Sequence, residues 1–315
     1  MSLTSHLHDA EDPVTCFIRK RFPNNRPIGR QFLSALEGAK VLESPGGVSG
    51  GTIGTAFDWR VRFMFKQPPD LHLAQLGALF YWHKPKEVID LSDPREAIAP
   101  WVRELFDALH GEQYPSAEWL DRCCVLLALL TEFYRAGWFP EHRLFQLRKD
   151  ATLADALSLV TEDECTDLAA LIDLAETKLP GSLRTADPIA LGPTFDGSRL
   201  IGGADADLIC GGMLIELKTE HGNRKGMERR LHLGRTNGID QLIGYVLLDF
   251  SDTYRINSVG VYAARWGRFV DWPLTEFLET LADESIDLAE ERAEFAALLG
   301  RLQDEAESDA NQAPS

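Results

Sequence analysis

The chain has 315 residues, 44% of them hydrophobic, which suits a large core and excludes a disordered protein. Its net charge of −17 argues on its face against nucleic-acid binding, and its five cysteines, with no C-x-x-C pair, argue against a disulfide framework, a structural zinc or an iron–sulfur cluster. No basic-then-apolar leader is visible and the apolar run VLLALL is too short to span a bilayer, so the expectation is a soluble, cytoplasmic protein without membrane association.

The global charge hides a division. Residues 271–315 hold 13 Asp/Glu against 2 Arg, whereas residues 13–36 hold 5 Lys/Arg and no acid, and 218–238 hold 6 Lys/Arg against 2 Glu. Local fields of this kind matter more for binding than the sum.

In chain order, the composition of residues 1–12 and of the last ten or so predicts disorder. Arg19, Lys20, Arg21, Arg26 and Arg30, with Phe17 and Phe22 among them, form either a basic surface helix or a patch that tracks a nucleic-acid strand. A Gly-rich loop at 44–52 leads into a helix marked by Ile53, Phe57, Val61 and Met64; it lacks the Gly-Lys-Ser/Thr ending of a phosphate loop. Residues 96–180 read as helical, with one stripe at Trp101, Leu105 and Leu109 and a second at Trp119, Cys123, Leu127 and Leu130, closed by Gly137. Thr161–Glu164 predicts a capping box that opens a third helix running toward Lys178.

After Pro193 the pattern changes to three short strands, at 198–203, 205–210 and 213–218. A polar, basic loop at 221–235 follows, then a helix from Gly238 to Asp249, two strands (NSVGVYAAR and RFVDW) and two acidic amphipathic helices. The order helix, three-strand meander, helix, strand predicts an α/β core with a mixed sheet.

Residues 203–220, GADADLICGGMLIELKTE, place charge in a buried-strand pattern. With Gly211-Gly212 as a two-residue turn, Cys210 faces Met213, Asp207 faces Glu216 and Asp205 faces Lys218. Side chains alternate along strands, so these four charged groups share one face while Leu208, Ile215 and Leu217 share the other. Buried carboxylates at cross-strand distance repel unless a cation joins them, and an all-oxygen set suits Mg²⁺ or Mn²⁺. A lysine beside such an ion suits phosphodiester hydrolysis.

Asp207 followed by Glu216-Leu217-Lys218 resembles the PD-(D/E)XK nuclease superfamily, and Gln241-Leu-Ile-Gly-Tyr245 resembles the Gln-x-x-x-Tyr of its RecB-like branch. Gly54-Thr55-Ala56-Phe57-Asp58 is similar to that branch's first helical motif, with Asp where the family often has His. The resemblance implies a restriction-endonuclease-like core with a large helical insertion and acidic C-terminal helices. It implies a Mg²⁺-dependent nuclease acting on DNA. Asp207, Glu216 and the Leu217 backbone carbonyl would hold the metal, with Asp205 and Asp58 as further candidates. Lys218 would position the attacking water, and Gln241 and Tyr245 would steady the site. Arg224, Lys225, Arg229, Arg230 and Arg235 are candidates for contacts with the nucleic-acid backbone.

The division expected on this basis is a disordered 1–12, a basic segment with the first core helix at 13–95, a helical insertion at 96–180, the nuclease core at 181–272 and an acidic helical C-terminus at 273–315. The alternative is an inactive nuclease-fold module that binds nucleic acid, or a protein partner through the acidic helices. A further expectation is that the acidic tail folds over the basic segments.

Overall fold

The computed structural model describes residues 2–66, 68–83, 98–111, 113–225 and 228–312. The chain forms two compact units: one combines residues 1–41 with 179–315, and the other is the continuous stretch 42–178. The expected boundary at 95/96 lies outside the described residues, and 272/273 falls inside the unit that combines 1–41 with 179–315. The helical unit begins near residue 42, and the acidic C-terminal helices belong to the sheet unit.

The first segment holds α1 (Leu3–His8), α2 (Pro13–Arg21) and α3 (Arg26–Ala35). The disorder expected for residues 1–12 is overturned: Leu3 and Leu7 are buried, and the Leu3 N–H donates to the Gly203 carbonyl at 2.9 Å. Two leucines in a polar stretch form an anchor once the sheet unit offers them a surface.

The helical unit comprises α4 (Gly50–Arg62), α5 (His72–Trp82), α6 (Pro100–Leu109), α7 (Ala117–Ala136), α8 (Leu153–Ser158) and α9 (Glu162–Lys178). Ser49 caps α4, so the Gly-rich stretch is a helix entry. Helix α7 is apolar around its centre, with Cys123, Cys124, Leu127 and Leu130 all fully buried, and packs against α4 and α5. Burial pushes the Cys123 and Cys124 thiols up, as expected for core residues. The capping box opening α9 is present: Thr161 Oγ1 accepts from Glu164 N–H, and Glu164 Oε2 accepts from Thr161 N–H. Gly77 of α5 lies against α7 so closely that a Cβ there would fall 1.8 Å from the Leu130 carbonyl oxygen. Because the obstacle is backbone, Gly77→Ala is expected to cost about 3 kcal/mol or more of stability, read as a lowered thermal midpoint.

The remaining elements are β1 (Ile189–Leu191), β2 (Leu208–Cys210), β3 (Met213–Lys218), β4 (Asn223–Lys225), β5 (Glu228–Arg230), α10 (Asp240–Leu248), β6 (Ser258–Ala263), β7 (Arg268–Pro273), α11 (Leu274–Ala282) and α12 (Leu288–Gln312). The protein is a mixed α/β chain. Its five-stranded sheet has the order β1-β2-β3-β6-β7, with β3 and β6 parallel and the other neighbours antiparallel. The parallel pair is joined through α10. On the α10 side of the sheet, Leu214, Val259 and Val261 join Leu242, Tyr245 and Val246 in one apolar cluster that also takes in α1, α2, α3, α11 and α12.

Three expectations change here. The first strand of the meander is Ile189–Leu191; residues Asp196–Arg199 instead form a 3-10 turn, held by the Ser198 hydroxyl accepting from Phe195 N–H and donating to the Ala204 carbonyl. The basic loop at 221–235 contains a two-stranded hairpin, β4 with β5, forming its own small sheet. The tail expected to be disordered is helical to Gln312. Among the described residues no helix is long and apolar enough to cross a membrane.

Candidate active site

The β2–β3 hairpin has the predicted register. Gly211 and Gly212 adopt φ of 58° and 82°, and Cys210 pairs with Met213 and Leu208 with Ile215. Positive φ at both turn positions is what a two-residue hairpin loop needs, and glycine takes it without strain. The alternation along β3 then turns Leu214, Glu216 and Lys218 toward α10 and Ile215 and Leu217 to the opposite, buried side.

Strand β3 outlasts β2. Its pairing with β6 runs on to Lys218, whereas the ladder with β2 ends at Leu208–Ile215. Asp207, the next residue out, replaces the missing ladder bond with its side chain: Oδ2 accepts the Leu217 N–H at 2.6 Å. A strand residue directs its N–H and C=O toward the same neighbour, so the Leu217 carbonyl leaves β3 on the edge that Asp207 occupies. Asp205 does not reach the predicted pairing with Lys218. It forms a bridge with Thr194, and its carbonyl accepts the Tyr245 hydroxyl at 2.8 Å.

A chain of hydrogen bonds joins these strands to α10. Lys218 Nζ donates to Glu216 Oε1 at 2.8 Å and to Gln241 Oε1 at 3.2 Å. Gln241 Nε2 donates to the Tyr245 hydroxyl at 2.8 Å. Gln241 and Tyr245 are one helical turn apart and so face the sheet together. The Tyr245 ring stacks on Phe195, with centroids 5.5 Å apart. Glu216 and Tyr245 are each only 4% exposed.

Burial pulls the Lys218 amine down, but Glu216, Asp207 and Glu220 outweigh it and hold its pKa above the ordinary value. Lys218 is therefore a cation at neutral pH. Burial raises Tyr245 far above its ordinary value, and the charges of Glu216, Asp205 and Asp207 push it the same way. Its hydroxyl stays protonated, consistent with its donation to Asp205. Asp207, Glu216 and Lys218 thus meet where β3 runs past β2, while Asp205 joins them through its carbonyl and the Tyr245 hydroxyl.

Among the described residues no group of three or more His, Cys, Asp or Glu side chains is arranged to hold a metal ion. The donors at this edge, the Asp207 and Glu216 carboxylates and the Leu217 carbonyl, are all hard oxygens. That chemistry fits Mg²⁺ or Mn²⁺; protein sites commonly bind Mg²⁺ through one or two carboxylates while the ion keeps several waters.

Asp58 lies in the helical unit and is buried. Its carboxylate takes Arg62 Nε at 3.0 Å and Nη2 at 2.6 Å, a two-pronged pair that answers its charge without a metal. Of the predicted backbone contacts, Arg229 and Arg230 lie on β5. Arg224 and Lys225 lie on β4, their side chains outside the described residues. Arg235 is engaged within the fold, where it ion-pairs with Asp240 at 3.1 Å and donates to the Phe22 and Pro23 carbonyls at 2.9 and 3.2 Å.

Sequence reasoning missed two positioning residues. Asp240, fully buried at the start of α10, receives Arg19 and Arg235 and sets the helix just before Gln241. Arg265, also buried, donates to the Thr219 carbonyl at 2.7 Å and holds the chain as it leaves Lys218. An acid at the head of an otherwise apolar helix, and an arginine between two apolar strands, were the available signals. Comparison of the chain with protein-family models, with characterised proteins and with solved structures gives no match.

Proposed function

We propose that the sheet unit is a PD-(D/E)XK nuclease core with a restriction-endonuclease-like arrangement, and that the chain hydrolyses phosphodiester bonds in DNA. The observation that carries this reading is the continuous hydrogen-bonded chain from Glu216 through Lys218 and Gln241 to Tyr245 and the Asp205 carbonyl. It makes the part-buried Lys218 amine, a carboxylate and a helix side chain one connected assembly beside the Asp207 edge.

Asp207, Glu216 and the Leu217 carbonyl would hold Mg²⁺ or Mn²⁺. When bound, the ion polarises a phosphoryl oxygen and lowers the pKa of a bound water. Lys218, being protonated, acts as a donor: it orients the attacking water or steadies charge on the phosphate. Gln241 fixes the direction of the Lys218 amine, and Tyr245 fixes Gln241. Asp58 is outside this proposal, since Arg62 already occupies its carboxylate.

The direct test is cleavage of DNA by the purified protein in Mg²⁺ or Mn²⁺, with and without EDTA, together with a thermal melt across a metal titration. Cleavage that disappears in EDTA is expected. Ion at 100 times its Kd should stabilise the fold by about 2.7 kcal/mol. Undiminished cleavage in EDTA would refute the metal assignment. DNA binding with no metal-dependent product and no melt shift would favour the inactive module.

A further inference from the structure

The five basic residues between 19 and 30 do not share one fate. Arg19 donates to buried Asp240, and Arg21 is paired by Glu291 and Glu284 at the base of the acidic helices. Arg26 and Arg30 are exposed and meet no carboxylate among the described residues. They stand one turn apart on α3 and so present their side chains to the same side.

That side is one wall of a groove of about 420 Å³. The opposite wall is the segment that follows β5, with His232 exposed and Leu233 buried. Leu33 and Leu233 add apolar surface, Gly29 opens space between the two arginines, and among the described residues none that lines the groove is acidic. In a chain of net charge −17, this is a locally positive concavity.

The groove is tied together rather than formed by loose loops. Arg235, just beyond Leu233, donates to the Phe22 and Pro23 carbonyls immediately before α3. Asn24 is held by the Leu281 and Thr280 carbonyls of α11. Gln31 accepts the Trp272 indole N–H at 2.7 Å, fixing α3 to β7. Leu233 lies so close over Gly238 that a Cβ there would fall 2.6 Å from its Cδ1, locking this wall to the turn that enters α10.

We infer that this groove holds the sugar–phosphate backbone of a single nucleic-acid strand, an inference that rests on the nuclease reading for the class of ligand. Arg26 and Arg30 supply two cations one helical turn apart for the phosphates of the strand, and His232 supplies a donor from the facing wall. Leu33 and Leu233 offer apolar surface to an unstacked base or sugar, which a duplex keeps covered. Asp240 links groove and candidate active site: the arginine that joins the groove walls, Arg235, is held by the residue that precedes Gln241.

The test is fluorescence anisotropy of a labelled oligo-dT strand with the full chain in EDTA, from 50 to 200 mM salt. Arg26→Gln/Arg30→Gln changes two exposed helix positions to another good helix former. It is expected to weaken binding at least about tenfold. The slope of log K against log salt should fall by about 1.4, the value for two lost phosphate contacts on a single strand. Lys149→Gln/Lys178→Gln removes the same charge from exposed positions in the helical unit and should leave affinity within about twofold. Unchanged affinity and slope in the Arg26/Arg30 variant, an equal loss in the control, or no strand binding by the wild type would each overturn the groove. Equal Arg-dependence with tighter duplex binding would overturn its single-strand assignment. Nothing is turned over in this assay, so a wild type that binds but never cleaves sinks the nuclease reading alone.

Discussion

Lys218→Met is expected to lower metal-dependent cleavage by at least about 10²–10³-fold, the usual loss when one positioned donor is removed from a reacting centre. Methionine keeps much of the volume and the apolar stem, so the change isolates the ammonium group. That group is held by Glu216 Oε1 at 2.8 Å and Gln241 Oε1 at 3.2 Å. Without it, Glu216 is a buried carboxylate lacking its nearest cation, and the metal-free protein should melt lower. Bound Mg²⁺ or Mn²⁺ would supply the missing positive charge. The variant should therefore gain more stability from the ion than the wild type does, while failing to cleave. Glu216→Gln should behave oppositely, with little ion-induced shift and no cleavage. A Lys218→Met protein that cleaves at the wild-type rate would remove Lys218 from the mechanism.

The pH dependence carries a definite sign. The folded state raises the Lys218 pKa, so its contribution to stability is fully present at neutral pH and is lost only as pH rises through that elevated value.

Asp240→Asn should destabilise the sheet unit by about 3 kcal/mol, the low end for breaking a buried ion pair, because Arg19 and Arg235 keep partial contact with water. For a unit of this size that corresponds to roughly 6–12 °C in thermal midpoint. Asp240 is fully buried, accepts Arg19 Nε at 3.2 Å and Arg235 Nε at 3.3 Å, and stands next to Gln241. Its loss leaves Arg19 with the Thr236 hydroxyl, 3.4 Å away, and Arg235 with the Phe22 and Pro23 carbonyls. Strand binding and cleavage should both fall, since groove wall and Gln241 share this support. A variant melting within about 1 kcal/mol of wild type would show that Asp240 is replaceable.

How much of this was legible in the sequence depends on the range of the interactions. The β2–β3 register follows once Gly211-Gly212 is taken as a two-residue turn, since alternation then assigns every face; a three-residue loop would have reversed the faces, and the observed pairing of Cys210 with Met213 decides for the two-residue turn. Gln241 and Tyr245 follow from helical spacing. The capping box at Thr161–Glu164 is equally local. By contrast, the helix at Leu3–His8 owes its order to partners two hundred residues away, the Gly203 carbonyl among them. The 3-10 turn at Asp196–Arg199 replaced a strand because the Ser198 hydroxyl satisfies local backbone groups that a ladder would otherwise have used. Arg19, Arg21 and Arg235 read as a solvated or phosphate-binding set until the acids and carbonyls facing them are placed. Spacing alone identifies which charges share a surface; it does not identify which are already neutralised.

The sheet unit is assembled from chain on both sides of the helical one. On a ribosome, α1 to α3 emerge well before their sheet, and a delay on the order of ten seconds passes while residues 42–178 are translated. The helical unit, being continuous, can complete itself during that interval. Leu3, Leu7, Ile18 and Phe32 meanwhile stay without their partners, so nascent chains should engage holding chaperones through this leading segment until α10 is translated.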